Sequence, residues 1–412
     1  VYGSALLRPF AVYALGLVVC RGLDFALLPL YTHYLTPDDY GAAALTLTLL
    51  AFGHVLYAFG FGPAFLRYAA THAEQDVRRM FASVTLVLAA AAGFLSAGVC
   101  LFPAPVAGWF GLADRIPLVR LAAGILFLDV FTLLPYTILR TEERPVPFVL
   151  HTLSATVVHV ALTAYLVVYA GMGAEAIFIA LLVSSAFNAA AVTASVRRYV
   201  RLSLEWAHPA PLLRFGLPFV PAGLATVAMD TIDRVMLVGM TDAATVGIYS
   251  AGYRVAMVMG LAVKAFEYAW APHLLARREN APHLAKRGLA GFVAVAGMLW
   301  LSFWLFGERL FRVEVYGKPI IGPAYQAGAA VIPPVMFAYL LAGIAEALMA
   351  HVYLRGRSWV VTVAAVLSAG VHIGGNYLLI PRFGMMGAAY ATVIGYAALA
   401  GILGGYAKRG KR

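Results

Sequence analysis

Twelve stretches of mostly apolar residues follow one another with short connections between them: 6–31, 40–66, 80–102, 117–139, 146–170, 174–196, 215–240, 246–275, 288–307, 324–353, 358–380 and 385–407. A helix that crosses the hydrocarbon core of a bilayer needs about 20 such residues. The stretches are continuous rather than alternating, which argues against a membrane β-barrel. Composition carries the same message: 62% of the 412 residues are hydrophobic and 12% are charged, against about 45–50% and about 25% in soluble domains. No water-soluble fold hides that excess. A soluble enzyme with one anchor, a disordered chain and a nucleic-acid binder are therefore excluded. The chain reads as an all-α integral membrane protein with twelve transmembrane helices.

The net charge of +11, from 30 Lys+Arg against 19 Asp+Glu, matters for where the cations lie. Lys and Arg set topology by staying in the cytoplasm. With both termini inside, 20 of the 30 cations fall on the cytoplasmic side. Six fall outside (Arg115, Arg120, Arg309, Arg312, Lys318, Arg382) and four lie within spans (Arg21, Arg234, Arg254, Lys264). One missed or extra span would scramble every later loop, so the asymmetry supports twelve. The first span is too long for a cleavable signal peptide. Cys20 and Cys100 both lie in apolar stretches and read as buried thiols, with no spacing that suggests a metal site.

The chain also repeats. Leu6-Leu7-Arg8 returns as Leu212-Leu213-Arg214, Asp24 as Asp230 and Gly41 as Gly247, each 206 positions on. Gly171-Met172-Gly173-Ala174 returns as Gly384-Met385-Met386-Gly387-Ala388. Six spans per half is an even number, so both halves enter the membrane in the same direction. The expected architecture is two parallel six-helix bundles, 1–205 and 206–412, around a central cavity, a transporter arrangement with its site near mid-depth.

A charge at mid-bilayer costs at least ~2.5–3.5 kcal/mol on insertion scales, which makes each intramembrane ionisable group a functional candidate. Arg21/Asp24 and Lys264/Glu267 are spaced i,i+3, and Asp230/Arg234 i,i+4, so each pair shares a helix face. Either they glue the bundle together or they face a watery path. Asp230, Asp233 and Arg234 leave one acid in surplus. Arg254 has no acid one turn away, and needs a partner from another helix or an anionic ligand. Asp129 and Glu346 also lack a local partner, and buried carboxylates of that kind take up protons near neutral pH. Asp24, Asp230, Asp233, Asp129 and Glu346 are the candidate ion-coupling residues, for H+ or Na+. His54, His159 and His372 read as packed, neutral imidazoles. Pro218, Pro221, Pro272, Pro333 and Pro334 lie within spans, and Pro218/Pro221 and Pro333/Pro334 read as hinges. Trp109, Trp206 and Trp359 fall near expected membrane interfaces.

Specific strings narrow the class. "LPLYTHYLTPDDYGAAAL" (Leu28 to Leu45), "DRVMLVGMTDAATVGIYSAGYR" (Asp233 to Arg254), "YAWAPHLLA" (Tyr268 to Ala276) and "NYLLIPRFGMMGAAYAT" (Asn376 to Thr392) resemble, in order, the junctions of the polysaccharide flippases. These are the Wzx-type lipid-linked oligosaccharide transporters of the multidrug/oligosaccharidyl-lipid/polysaccharide (MOP) superfamily. The chain supports twelve spans where many members carry fourteen, which disfavours the lipid II branch.

The resemblance implies an ion-coupled flippase in the bacterial inner membrane, working by alternating access. Its substrate would be an undecaprenyl-diphosphate-linked oligosaccharide for cell-surface polysaccharide such as O-antigen, and its partners other polysaccharide assembly proteins. It implies no cofactor and no nucleic acid. A diphosphate needs fixed cations, and arginine binds it bidentately, so Arg21, Arg234, Arg254 and Lys264 are the candidate substrate-binding residues. Arg21 and Arg254 come from different halves and would bridge them through the anion. Two alternatives stay open. The spans hold more carboxylates than cations, which suits a cation-coupled multidrug exporter of the same superfamily. A polytopic glycan polymerase or ligase would be an enzyme, but the longest outer connection, Glu308 to Pro323, has no DxD motif. No Walker A string occurs, so direct ATP drive is not expected.

Overall fold

The computed structural model describes residues 2–200, 209–276, 281–315, 318–354 and 358–409. Among them are fifteen α-helices: α1 (Tyr2–Tyr34), α2 (Pro37–Ala58), α3 (Phe61–Thr71), α4 (Glu74–Leu101), α5 (Pro103–Trp109), α6 (Ile116–Thr141), α7 (Pro145–Val168), α8 (Glu175–Ser195), α9 (Ala210–Gly216), α10 (Phe219–Met240), α11 (Ala243–Ala276), α12 (Ala281–Phe311), α13 (Ile332–Leu354), α14 (Ser358–Phe383) and α15 (Met385–Arg409). Two-residue strands β1 (Glu314–Val315) and β2 (Lys318–Pro319) pair antiparallel after α12. A 3₁₀ run, Pro323–Val331, leads into α13.

Ten helices among the described residues are long and apolar enough to cross a membrane, and α9 with α10, bent by 41° at their junction, makes an eleventh. The 33-residue α1 covers the first predicted stretch. All twelve stretches thus fall on a helix or a helix pair, and the protein is a multi-pass, all-α membrane protein.

The differences have local causes. The second stretch breaks at Phe59 and Gly60, which both take positive φ (47° and 72°), and the chain restarts as α3. Pro218 lies in the α9/α10 break and Pro221 in the first turn of α10, at the bend where a hinge is expected. Pro333 and Pro334 lie inside the span Pro323–Met349, where its 3₁₀ run gives way to α-helix. They occupy the first turn of α13, where a missing N–H leaves no bond unmade. Trp206 and the side chains of Glu267 and Pro272 lie outside the described residues. Trp109 and Trp359 are exposed.

The chain packs into two compact units, Val1–Leu30 with Leu45–Leu224, and Tyr31–Ala44 with Ala225–Arg412. The expected division at 205/206 falls among residues outside the description. In the first unit α6 forms the core. Its Leu118, Val119, Ala122 and Ile125 are fully buried, and α4, α8 and α7 pack around it. The outer helices leave Leu86, Phe94 and Leu150 exposed, as lipid-facing side chains should be. Cys20 is buried as expected, but Cys100 is exposed, because α4 is a peripheral helix. In the second unit α15 packs on both α13 and α14, and α11 packs on α13. The more peripheral α12 exposes Trp304 and Leu305.

The repeat is visible in local geometry within the second unit. The Asp39 N–H donates to Thr36 Oγ1 at 3.1 Å, capping α2, and the Thr245 N–H donates to Asp242 Oδ1 at 2.7 Å, capping α11. Thr36 and Asp242 are again 206 positions apart. One turn on, a Cβ at Gly41 would collide with the Ala243 carbonyl, and one at Gly247 with the Pro37 carbonyl. Gly171 and Gly384 both take left-handed φ (64° and 55°), which explains why each half has glycine before its last span.

At the cation-rich ends of α4, α6 and α8 the first unit ties itself together through Glu142. That carboxylate accepts from Tyr199 Oη at 2.6 Å, from Arg144 Nη1 at 3.3 Å and from Arg198. Arg198 also reaches Glu74 at 3.9 Å, and Glu74 accepts from Arg78 at 2.6 Å. Burial works against ionisation of Glu142, but the hydrogen bonds from Tyr199, Arg198 and Arg144 outweigh it and hold its pKa below the usual carboxylate range. Tyr199 is pushed up to about 12, by burial first and by donating to that carboxylate second.

Candidate functional site

Among the described residues, two groups of ionisable side chains contact one another inside the spans, one in each unit. The larger is built on α10. Residues 230, 233 and 234 fall on one side of that helix by their three- and four-residue spacing. Asp233 is buried (1% exposed), and its carboxylate accepts from Tyr249 Oη of α11. Arg234 pairs with the same carboxylate at 3.3 Å, and its side chain is only 11% exposed. The i,i+4 partnership expected between Asp230 and Arg234 takes a different form. The guanidinium donates to the Asp230 carbonyl at 2.9 Å, not to its carboxylate. The Asp230 carboxylate instead accepts from Tyr396 Oη of α15 at 2.5 Å.

Tyrosines enclose this group. The Arg234 guanidinium carbon lies 4.3 Å from the Tyr253 ring centroid and 6.0 Å from that of Tyr249. Tyr253 donates to the Asp230 carbonyl at 3.3 Å and accepts from Tyr339 Oη of α13 at 3.3 Å. Ring centroids step from Tyr249 to Tyr253 (5.6 Å), to Tyr339 (6.0 Å), to Tyr396 (6.4 Å). A guanidinium on aromatic faces and beside a carboxylate keeps its charge without water. Asp233 and Arg234 therefore neutralise each other, and Asp230 is the surplus acid of α10, half-buried, bonded to the Tyr396 phenol and in electrostatic range of Arg234 and Lys264. His372 is buried, as expected, with Thr392 Oγ1 3.4 Å from its Nε2.

Arg254, also on α11, has the non-local partners its isolation demanded. Its Nη1 donates to Tyr40 Oη at 3.4 Å, and its guanidinium carbon is 5.4 Å from the Tyr31 ring centroid. Tyr40 in turn packs edge-on against Tyr325 at 5.8 Å. Lys264 is exposed on α11, and Glu346 is half-buried on α13.

In the first unit Arg21 is exposed and Asp24 half-buried on α1. Asp129, which has no partner on its own helix, has one on another. Its Oδ2 lies 2.8 Å from His54 Nε2, with the two side chains 23% and 49% exposed. His54 is thus a half-exposed partner of a carboxylate on another helix and not a packed imidazole. The four tyrosines around Asp230, Asp233 and Arg234, and His54 on Asp129, were missed because each contact joins separate helices. The signal present was only that tyrosine and histidine sit within apolar runs.

Against known proteins, a family model described as "Polysaccharide biosynthesis protein" matches residues 32–301. A search of the curated proteins found no match. Among solved structures the chain is similar to the lipid II flippase MurJ in an inward closed conformation, with TM-score 0.78 and 13% identity over 97% of this chain and 87% of that one. It is similar to an inward-facing multidrug resistance MATE family transporter of the MOP superfamily, with TM-score 0.76 and 15% identity over 95% and 93%. A MOP superfamily transporter from Pyrococcus furiosus matches with TM-score 0.63 and 15% identity over 98% and 95%. At such identities the likeness shows a shared fold.

Proposed function

Because the chain belongs to the polysaccharide biosynthesis protein family, we propose that it is a flippase for an undecaprenyl-diphosphate-linked oligosaccharide. In this reading it carries the headgroup from the cytoplasmic to the outer leaflet by alternating access, as a transporter and not an enzyme. It sits in a bacterial inner membrane with both termini cytoplasmic, works beside other polysaccharide assembly proteins, and uses its halves 1–205 and 206–412 as the moving repeats. The observation that carries the reading is the family match over residues 32–301, supported by the MOP transporter fold.

The site geometry sorts the candidate residues. Arg21 and Lys264 are exposed and Arg254 is half-buried among tyrosines, so these three are the cations we assign to the diphosphate. Arg234, buried against Asp233 and Tyr253, acts as a fixed counter-ion. Asp230 is our first choice for ion coupling, with H+ or Na+, ahead of Asp24, Asp129, Asp233 and Glu346. Protonation or cation binding at a half-buried surplus carboxylate relieves its desolvation cost.

The test is flipping in proteoliposomes of a fluorescent undecaprenyl-diphosphate-linked oligosaccharide, read by quenching of the label in one leaflet. Protein-dependent movement supports the reading, and a rate equal to that of empty vesicles overturns it. The carboxylate and tyrosine cage around Asp230 favours a second reading, a multidrug exporter that takes organic cations. Uptake of a cationic dye that the lipid-linked sugar does not inhibit would favour that one.

A further inference from the structure

We propose that His54 and Asp129 form a proton-carrying dyad in the first unit. The pair brings together residues 75 positions apart, His54 on α2 and Asp129 on α6, with Nε2 and Oδ2 at 2.8 Å. Both helices are membrane spans. The two side chains are 49% and 23% exposed. Ionisable groups that are open within an apolar span face water or a polar ligand rather than lipid, so the dyad has access to solvent protons.

The chemistry follows from the geometry. Unloaded, the neutral imidazole donates Nε2–H to the Asp129 carboxylate, and the dyad carries one negative charge. One proton added at Nδ1 makes an imidazolium–carboxylate pair with no net charge, and no heavy atom need move. The negative form requires water or a cation nearby. The neutral form tolerates dehydration, because a paired charge costs less to bury than a lone one. A carrier that may close only when loaded needs that difference.

Other polar side chains of this unit have partners of their own. On α6, Tyr136 lies in electrostatic range of Asp129 and of Cys20 on α1. Its hydroxyl donates to Asn188 of α8 at 2.7 Å and accepts from Thr152 of α7 at 3.3 Å. On α2, Tyr57 is bonded to Ser96 of α4 at 3.1 Å. On α3, Arg67 lies over the Phe215 ring at 4.7 Å. Asp24 and Arg21 of α1 are the other charged candidates of this unit. Among the described residues, no Lys or Arg forms an ion pair with either member. The α6 backbone is braced at this point, since Thr132 Oγ1 donates to the Asp129 carbonyl at 2.8 Å.

The inference rests on the flippase reading only for what the proton drives, so proton binding is measured without any lipid-linked sugar. Infrared difference spectra after a pH step, on the whole protein in lipid nanodiscs, should contain an imidazole band that is absent in His54→Gln. That band should change frequency in Asp129→Asn, where its hydrogen-bond partner is altered. Identical difference spectra for wild type and His54→Gln would overturn the dyad. If His54→Gln does not purify as a monodisperse protein, an imidazole signal unchanged between wild type and Asp129→Asn overturns it equally. In proteoliposomes carrying the fluorescent lipid-linked oligosaccharide, pH-gradient-driven flipping should fall roughly tenfold or more in either variant, in the range of lost acid–base function. Exchange without a gradient should persist. Full gradient-driven flipping by both variants would end the coupling role. Intact infrared signals with no flipping by wild type would instead count against the flippase reading and leave the dyad standing.

Discussion

Gly247 lies against the Pro37 carbonyl with no room for a Cβ, and Gly41 lies in the same way against Ala243. Each residue of the first contact is 206 positions from its counterpart in the second, so residue i touches j and j's repeat-mate touches i's. Reciprocity of this kind is the mark of an isologous contact. Here it is made within one chain, where the capped N-termini of α2 and α11 meet in the second unit.

A methyl at Gly247 has only backbone to push against, so Gly247→Ala should destabilise the protein by about 1–3 kcal/mol, the usual cost of overpacking. Gly41→Ala should do the same. Gly98, with nothing near its would-be Cβ in α4, is the control, and Gly98→Ala should be neutral or mildly stabilising by ~0.5–1 kcal/mol. Thermal unfolding in detergent, followed by tryptophan fluorescence, would show whether the three variants separate in this order.

Asp233 and Arg234 should be strongly unequal to their neighbours in cost. Asp233→Ala leaves a buried guanidinium uncompensated and should cost about 3–5 kcal/mol. Tyr249→Phe removes one donor from the buried carboxylate and should cost about 1–3 kcal/mol. Asp233→Ala combined with Arg234→Met should recover much of the loss. Equal stability of the single and double variants would show that the pair is not coupled.

Glu142 sets an acid limit for the first unit. Its pKa is lower folded than unfolded, so its contribution is complete above the ordinary carboxylate pKa. It is lost as pH falls through the lowered folded value. Wild type should therefore unfold at a higher temperature than Glu142→Gln at pH 7, by about 1–3 kcal/mol for charge-assisted hydrogen bonds. The gap should narrow on acidification below about pH 4. A gap that widens with acid would contradict the assignment.

Arg254 tests whether charge or shape matters at the tyrosine cage. Arg254→Lys keeps the charge but loses the planar group that stacks on Tyr31 and the fork that grips a phosphate. Flipping rates should rank wild type first, Arg254→Lys next and Arg254→Ala last. A lysine variant equal to wild type would leave only a charge requirement.

The spans were legible because a bilayer imposes one length and one polarity on every crossing helix. Glycine was legible where the repeat gave two copies, as at Gly41/Gly247 and Gly171/Gly384. The break at Phe59–Gly60 was not, because the apolar run continues through it and Phe59 gives no sign of positive φ. Charge pairing was legible only along one helix, and even there only partly, since Arg234 turned to Asp233 and to the Asp230 carbonyl. His54 with Asp129, and Tyr396 with Asp230, are set by which helices pack together. Periodicity within a single helix does not encode that choice.

Cys100 is exposed near the last turn of α4 and Cys20 is buried, so these 412 residues carry one surface thiol at a known place. It stands at the end of α4 remote from Arg78 and Arg79. A membrane-impermeant maleimide applied to sealed vesicles of either orientation would label the chain from one side only, and so report directly which way the cation-rich ends point.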